Sequence, residues 1–127
     1  MIYIDSSVAL AHLLGETRVP PASLWGESLV SSRLLEYEMW NRVNARGLMR
    51  THGDDVRSLL ATVALLELTP LVLARAMEPF PVPVRTLDAF HLASMIFLKD
   101  RGEPITLTTY DERLARAASA LGVSLLE

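Results

Sequence analysis

Short runs rich in β-branched, aromatic and leucine residues alternate with helical stretches from one end of this chain to the other, and that alternation limits its fold most. Ile2 to Asp5 reads as a strand, and Ser6 and Ser7 open a helix to about Leu14, ended by Gly15. Pro20 and Pro21 suit the first turn of a short helix containing Ser23, Leu24 and Trp25. Leu29 to Ser31 reads as the next strand, with Ser32 capping a long helix to about Gly47. His52, Gly53 and Asp54 mark the start of another helix, in which Val56, Leu59, Leu60 and Val63 recur at helical spacing. A short strand at Leu65 to Leu68 precedes Pro70, and Val72 to Met77 reads as helix. Pro79, Pro81 and Pro83 force an extended connector. Thr86 then caps a helix to about Lys99, Ile105 to Thr108 is a strand, Asp111 to Leu121 a helix and Val123 to Leu126 an edge strand. Parallel neighbours require crossover connections, so the alternation predicts a mostly parallel sheet sandwiched by helices. Ligands of such sheets bind beyond the carboxyl ends of the strands.

Composition narrows the chemistry. The 127 residues, 50% hydrophobic and 21% charged, suit one ordinary domain over residues 1–127 and are too apolar for a disordered chain. The absence of cysteine excludes a disulfide scaffold, a thiol nucleophile and thiolate metal sites. A net charge of −3 argues against coating nucleic acid through bulk charge, though not against a small site that handles nucleic acid through a metal. Lys99 is the sole lysine, so Schiff-base chemistry would rest on it alone. No apolar run approaches the roughly 18 residues of a membrane span. The start MIYIDSSVAL lacks a basic region and meets an acid at once, unlike a signal peptide, so a cytoplasmic protein is expected.

Four acids fall where a parallel sheet would present them. Asp5 ends the first strand, and Asp111 follows the strand Ile105 to Thr108. Asp88 enters its helix straight after Pro83 to Arg85, and Glu38 lies within the long helix. Any one of the aspartates alone reads as a helix cap, because free amides and the helix dipole stabilise a carboxylate there. Together, the topology delivers Asp5, Asp88 and Asp111 to one sheet edge, where neighbouring carboxylates repel unless a cation or shared protons intervene. Mg²⁺ or Mn²⁺ with oxygen ligands removes that cost and suits phosphodiester hydrolysis. Glu36 competes with Glu38: the two point about 160° apart on a helix, and the helical wheel does not choose between them.

Other residues carry weaker signals. Arg42, Arg46 and Arg50 form a drifting stripe, either solvated with Arg42 paired to Glu38, or steering phosphates. His91, one turn after Asp88, reads as a packed histidine with its polar edge hydrogen-bonded rather than as a ligand of a hard-oxygen site. Trp25, Trp40, Phe90 and Phe97 read as core or dimer surface, because no basic residues interleave with them. The scattered glycines form no phosphate-cradling loop.

MIYIDSSVAL, VSSRLLEYEMW, RTLDAFHLASM and TLTTYDERLARAA, in that order and spacing, resemble the PIN domain, specifically the VapC toxins of bacterial and archaeal toxin–antitoxin pairs. The resemblance runs from Met1 to about Leu126. It implies a three-layer α/β/α sandwich around a mostly parallel sheet, and a Mg²⁺- or Mn²⁺-dependent endoribonuclease that leaves a 5′-phosphate. It also implies a cognate VapB-type antitoxin that threads a tail with a basic residue across the active site, and a homodimer. Carried over by position, Asp5, Glu38, Asp88 and Asp111 are the metal-binding catalytic acids, and the family register thus favours Glu38 over Glu36. Ser6 or Ser7, together with Thr109, matches the hydroxyls that orient carboxylates and water around the ion. Arg42 and Arg46 are candidate contacts to RNA phosphates. No DNA-reading element is recognisable, so direct DNA binding by this chain alone is not expected. A receiver-like regulatory domain fits poorly, since Asp5 lacks an acidic neighbour and Lys99 lies near a helix end. The remaining rival is a PIN-like domain that binds RNA or a protein without cutting, although none of the four acids is missing.

Overall fold

In the computed structural model, which describes residues 1–126, five strands form one sheet in the order β3-β2-β1-β4-β5, every neighbouring pair parallel. The strands are β1 (Ile2–Ile4), β2 (Leu29–Ser32), β3 (Val63–Leu66), β4 (Thr106–Thr108) and β5 (Ser124–Leu125). Between them run α1 (Ser6–Leu14), a 3₁₀ turn (Ala22–Gly26), α2 (Leu34–Ala45), α3 (Met49–Ala61), α4 (Pro70–Ala76), α5 (Thr86–Asp100) and α6 (Glu112–Ala120). The alternation in sequence thus becomes the expected α/β/α sandwich.

The central strands β1 and β2 are too short to bury more than one or two residues per face, and they fill both faces by alternation. Ile4 and Leu29 point into one core with Val8, Leu35, Met39 and Val56, beneath α1, α2 and α3. Their neighbours Tyr3 and Val30 point the opposite way, into a second core with Leu92, Met95, Leu107 and Leu114 beneath α5 and α6. The sheet has to be apolar on both sides because helices cover both.

Several boundaries differ from the sequence reading. Ser32 is the last residue of β2, not an N-cap, yet its hydroxyl still accepts from the Leu34 amide at 3.0 Å, so it performs the capping chemistry from one position further out. Thr86 is the first helical residue of α5; the cap is Arg85, whose side chain makes no capping bond. Helix α3 starts at Met49, several residues before the His52–Asp54 signal, and Gly53 lies inside it. A Cβ on Gly53 would make only ordinary van der Waals contact with Arg57, Trp40 and Met49, so the glycine occupies a regular helical position and marks no turn. Val63 belongs to β3, not to the preceding helix, because Thr62 ends α3 with its hydroxyl on the Leu59 carbonyl and Val63 pairs in register with Leu29. Pro20 and Pro21 precede a 3₁₀ turn rather than an α-helix.

The strand order decides where a ligand can bind. From β1 the chain moves outward through β2 and β3, then returns to place β4 on the other side of β1. The order therefore reverses between β1 and β4, and the crevice beyond their carboxyl ends is left uncovered by crossover helices. Ile4 pairs with Thr108, so the next residues on each strand, Asp5 and Thr109, meet at that crevice.

Candidate active site

Asp5 lies at the floor of the crevice, 5% exposed, as N-cap of α1. Its carboxylate accepts from the Val8 amide at 3.3 Å, the Ser7 hydroxyl at 2.7 Å and the Thr109 hydroxyl at 2.6 Å. Both hydroxyls are themselves acceptors: Tyr110 donates its amide to Ser7 at 2.9 Å, and Asp111 donates its amide to Thr109 at 3.0 Å. Two backbone amides at the end of β4 are thus relayed, through one hydroxyl each, onto the two oxygens of Asp5. Burial pushes the Asp5 carboxyl above the usual carboxylate range, opposed by the bonds from Thr109 and Ser7. Asp111 caps α6 by accepting from the Arg113 and Leu114 amides at 2.9 and 3.2 Å. The capping role of these two aspartates and their place in the crevice coexist, since each has oxygen lone pairs left over.

The other wall is built from two helices. Glu38, in the second turn of α2, accepts from His91 Nε2 at 2.6 Å and from the Ser6 hydroxyl at 3.3 Å. Glu36 points away, half exposed and paired with Arg33 at 3.0 Å, so the ambiguity left by the helical wheel resolves to Glu38 facing the crevice. Asp88, half-buried in the first turn of α5, accepts no hydrogen bond among the described residues. Its carboxyl is pushed up by burial first and then by the charge of Asp111, with Glu38 adding a smaller push and His91 and Arg85 opposing. Asp88 is thus the acid whose charge its neighbours leave least compensated.

All four acids line one open cleft of about 770 Å³, together with Ser6, Ser7 and His91. Arg42 stands on its rim. Arg46 does not: it is the C-cap of α2, about one further turn along the axis from Arg42 and so carried away from the acids. No ion pair joins Arg42 to Glu38 among the described residues, contrary to the pairing that their spacing suggested. The sequence reading missed two further arginines on the rim, Arg18 and Arg85. Arg85 could have been found three residues before Asp88, on the same helical side. Arg18 lies in the connection after α1, with its guanidinium 4.4 Å from the Tyr110 ring centre, and no periodicity announces it. The expectation of a hydrogen-bonded His91 holds; its partners, Tyr3 and Glu38, could not be read from its helix.

The donor set can be tested against a hard cation. Among the described residues no three acid or histidine side chains converge closely enough to hold an ion unaided. The acids instead ring an open cleft as oxygen donors, while the nearest imidazole is turned onto Glu38 and Tyr3. Mg²⁺ keeps several of its waters and takes few direct carboxylates, so an open, oxygen-lined cleft of this kind fits it.

Fold and site together define an α/β/α domain with a carboxylate-lined cleft at the switch point of a parallel sheet. The PIN domain pattern matches residues 2–120 of the chain. The chain is also similar to Ribonuclease VapC47 of Mycobacterium tuberculosis (strain CDC 1551 / Oshkosh), 32% identical over 129 residues that cover 96% of this chain and 93% of that protein. The chain belongs to the PIN domain family, and the likeness to a VapC protein places it with the VapC type. No helix among the described residues is long and apolar enough to cross a membrane.

Proposed function

We propose that this protein is an endoribonuclease of the VapC type, the toxin of a toxin–antitoxin pair, with residues 1–127 acting as one catalytic domain. The observation that carries the reading is the cleft itself: four carboxylates around one opening, with Asp88 disfavoured as an anion by burial first and by Asp111 next, which His91 and Arg85 only partly oppose. Such a charge arrangement is costly unless a cation completes it. The relative's name, a ribonuclease, supplies the substrate class.

In this reading Asp5, Glu38, Asp88 and Asp111 hold one or two Mg²⁺ ions, with Mn²⁺ as substitute. When bound, the metal lowers the pKa of water and offsets charge building on a phosphodiester. The protein's own residues do the rest. Ser7 and Thr109 keep both oxygens of Asp5 supplied with donors, which holds it in one orientation despite its burial. Ser6 and His91 do the same for Glu38. Arg42, Arg18 and Arg85 offer phosphate-binding forks around an acidic floor that would otherwise repel RNA. A VapB-type antitoxin would silence the cleft by placing a basic side chain among the acids, where the charge complementarity is strongest. A homodimer, action in the cytoplasm, and reliance on the antitoxin for any DNA contact complete the proposal.

Cleavage of total RNA by purified, antitoxin-free protein in Mg²⁺ or Mn²⁺ tests it, with EDTA and Asp5→Asn as controls. Discrete cuts ending in 5′-phosphates and lost in both controls are expected. RNA bound but uncut in every metal would replace the proposal with a binding-only PIN domain.

A further inference from the structure

His91 is 2% exposed in the core between β1 and α5, yet both ring nitrogens are engaged. Nδ1 lies 2.7 Å from the Tyr3 hydroxyl, itself fully buried, and Nε2 lies 2.6 Å from Glu38. The direction of the bonds follows from the Glu38 end. The Glu38 carboxylate can only accept, so Nε2 carries the proton. In the neutral ring Nδ1 is then the acceptor for the Tyr3 hydroxyl, whose oxygen accepts from the Ser32 backbone amide at 3.2 Å.

A chain of hydrogen bonds therefore runs from the end of β2 through Tyr3 and His91 to one oxygen of Glu38. We propose that His91 is the positioning residue of this site: it holds the Glu38 carboxylate toward the cleft and fixes the separation of the α2 and α5 walls that carry Glu38 and Asp88.

Two features support a positioning role over simple core filling. Glu38 has a competing partner four residues on, Arg42, to which its spacing on α2 would direct it. The structure shows no such pair, and the side chain is drawn instead across to a residue 53 positions away. In addition, His91 stands one turn from Asp88, so the helix that brings one acid to the cleft also grips another. The remaining Glu38 oxygen faces Ser6 at a longer 3.3 Å and is the one available to a ligand.

This inference rests on the proposed metal site, and its test separates the two. Mn²⁺ affinity is measured by calorimetry for the wild type, His91→Leu, His91→Gln and Tyr3→Phe, beside thermal unfolding in EDTA. Long-range ¹H–¹⁵N correlation spectra report which ring nitrogen carries the proton. We expect the Nε2-protonated ring in the wild type and an affinity loss of about 10- to 100-fold in His91→Leu. His91→Gln, which keeps a donor, should recover most of that loss, and Tyr3→Phe should lose affinity several-fold with the Glu38 contact intact. If His91→Leu does not fold, the Gln and Tyr3→Phe comparisons decide. An Nδ1-protonated ring overturns the proposal, as do variants that lose thermal stability but keep wild-type Mn²⁺ affinity. A wild type that binds no Mn²⁺ overturns the metal site first, and this role with it.

Discussion

Asp5 and Asp88 are chemically identical, line the same cleft and are both pushed above the ordinary carboxyl range, yet the molecule treats them in opposite ways. Asp5 is sunk between two strand ends and receives three hydrogen bonds. Asp88 stands half-buried on a helix and accepts none among the described residues. Burial is the larger cause of the shift in both, but for Asp5 it is opposed by hydrogen-bond donors, whereas for Asp88 it is reinforced by Asp111 and opposed only through the charges of His91 and Arg85. The strand side of the cleft is thus organised before any ligand arrives. The helix side carries charge that a ligand must compensate.

The contrast can be broken at its strongest point first. Asp5→Asn keeps an oxygen for the Val8 amide and so keeps the helix cap, but removes the charge; cleavage should fall about 10²- to 10³-fold with the fold intact by circular dichroism. Full activity in this variant would remove Asp5 from the mechanism. Thr109→Val keeps the shape and strips one adaptor hydroxyl, leaving an Asp5 oxygen and the Asp111 amide without partners. A loss of about 1–3 kcal/mol in denaturant unfolding is expected, and a loss near zero would mean that water replaces the hydroxyl.

Asp88 predicts the opposite sign. In EDTA, Asp88→Asn should stabilise the protein by up to about 1 kcal/mol, by removing a charge that burial and then the repulsion of Asp111 disfavour at a partly exposed site. The gain must also depend on pH. Because the folded-state carboxyl titrates above the ordinary value of 3.8, the native state binds this proton more tightly than the unfolded chain does. The penalty is in full force above the raised value and disappears as pH falls toward 3.8. The difference between wild type and Asp88→Asn should therefore shrink on going from pH 7 toward pH 4 in urea titrations. A constant difference would contradict a raised Asp88 carboxyl. Saturating Mg²⁺ should reverse the order at pH 7, since the wild type alone keeps the full set of acids. The smallest effect is expected on the rim. Arg42→Ala should raise KM several-fold in low salt, whereas Arg46→Ala, one turn further from the acids, should leave KM and kcat unchanged.

Much of the architecture was legible in the residues because it is local. Alternation of strand and helix implied a parallel sheet, and the position of each acid just past a strand or at a helix start put three of them at one edge. The errors were also local. Helix α3 begins before its apparent signal because Gly53 takes ordinary helical backbone and marks no turn. Val63 follows a helical spacing by accident and is claimed by β3 through its pairing with Leu29.

The choice of Glu38 over Glu36 shows where reading by residue stops. Both glutamates have apolar neighbours on the helical wheel, and the family resemblance, not the spacing, favoured Glu38. What turns Glu38 into the cleft is His91, 53 residues away, itself held by Tyr3 at a separation of 88. Thr109 reaches Asp5 across 104 residues. The sheet, its two apolar faces and the acids at its edge could be read along the chain, since each follows from periodicity within a few residues. Which donors hold those acids could not, because a hydrogen bond between distant segments exists only once the strand order has brought them to the same crevice.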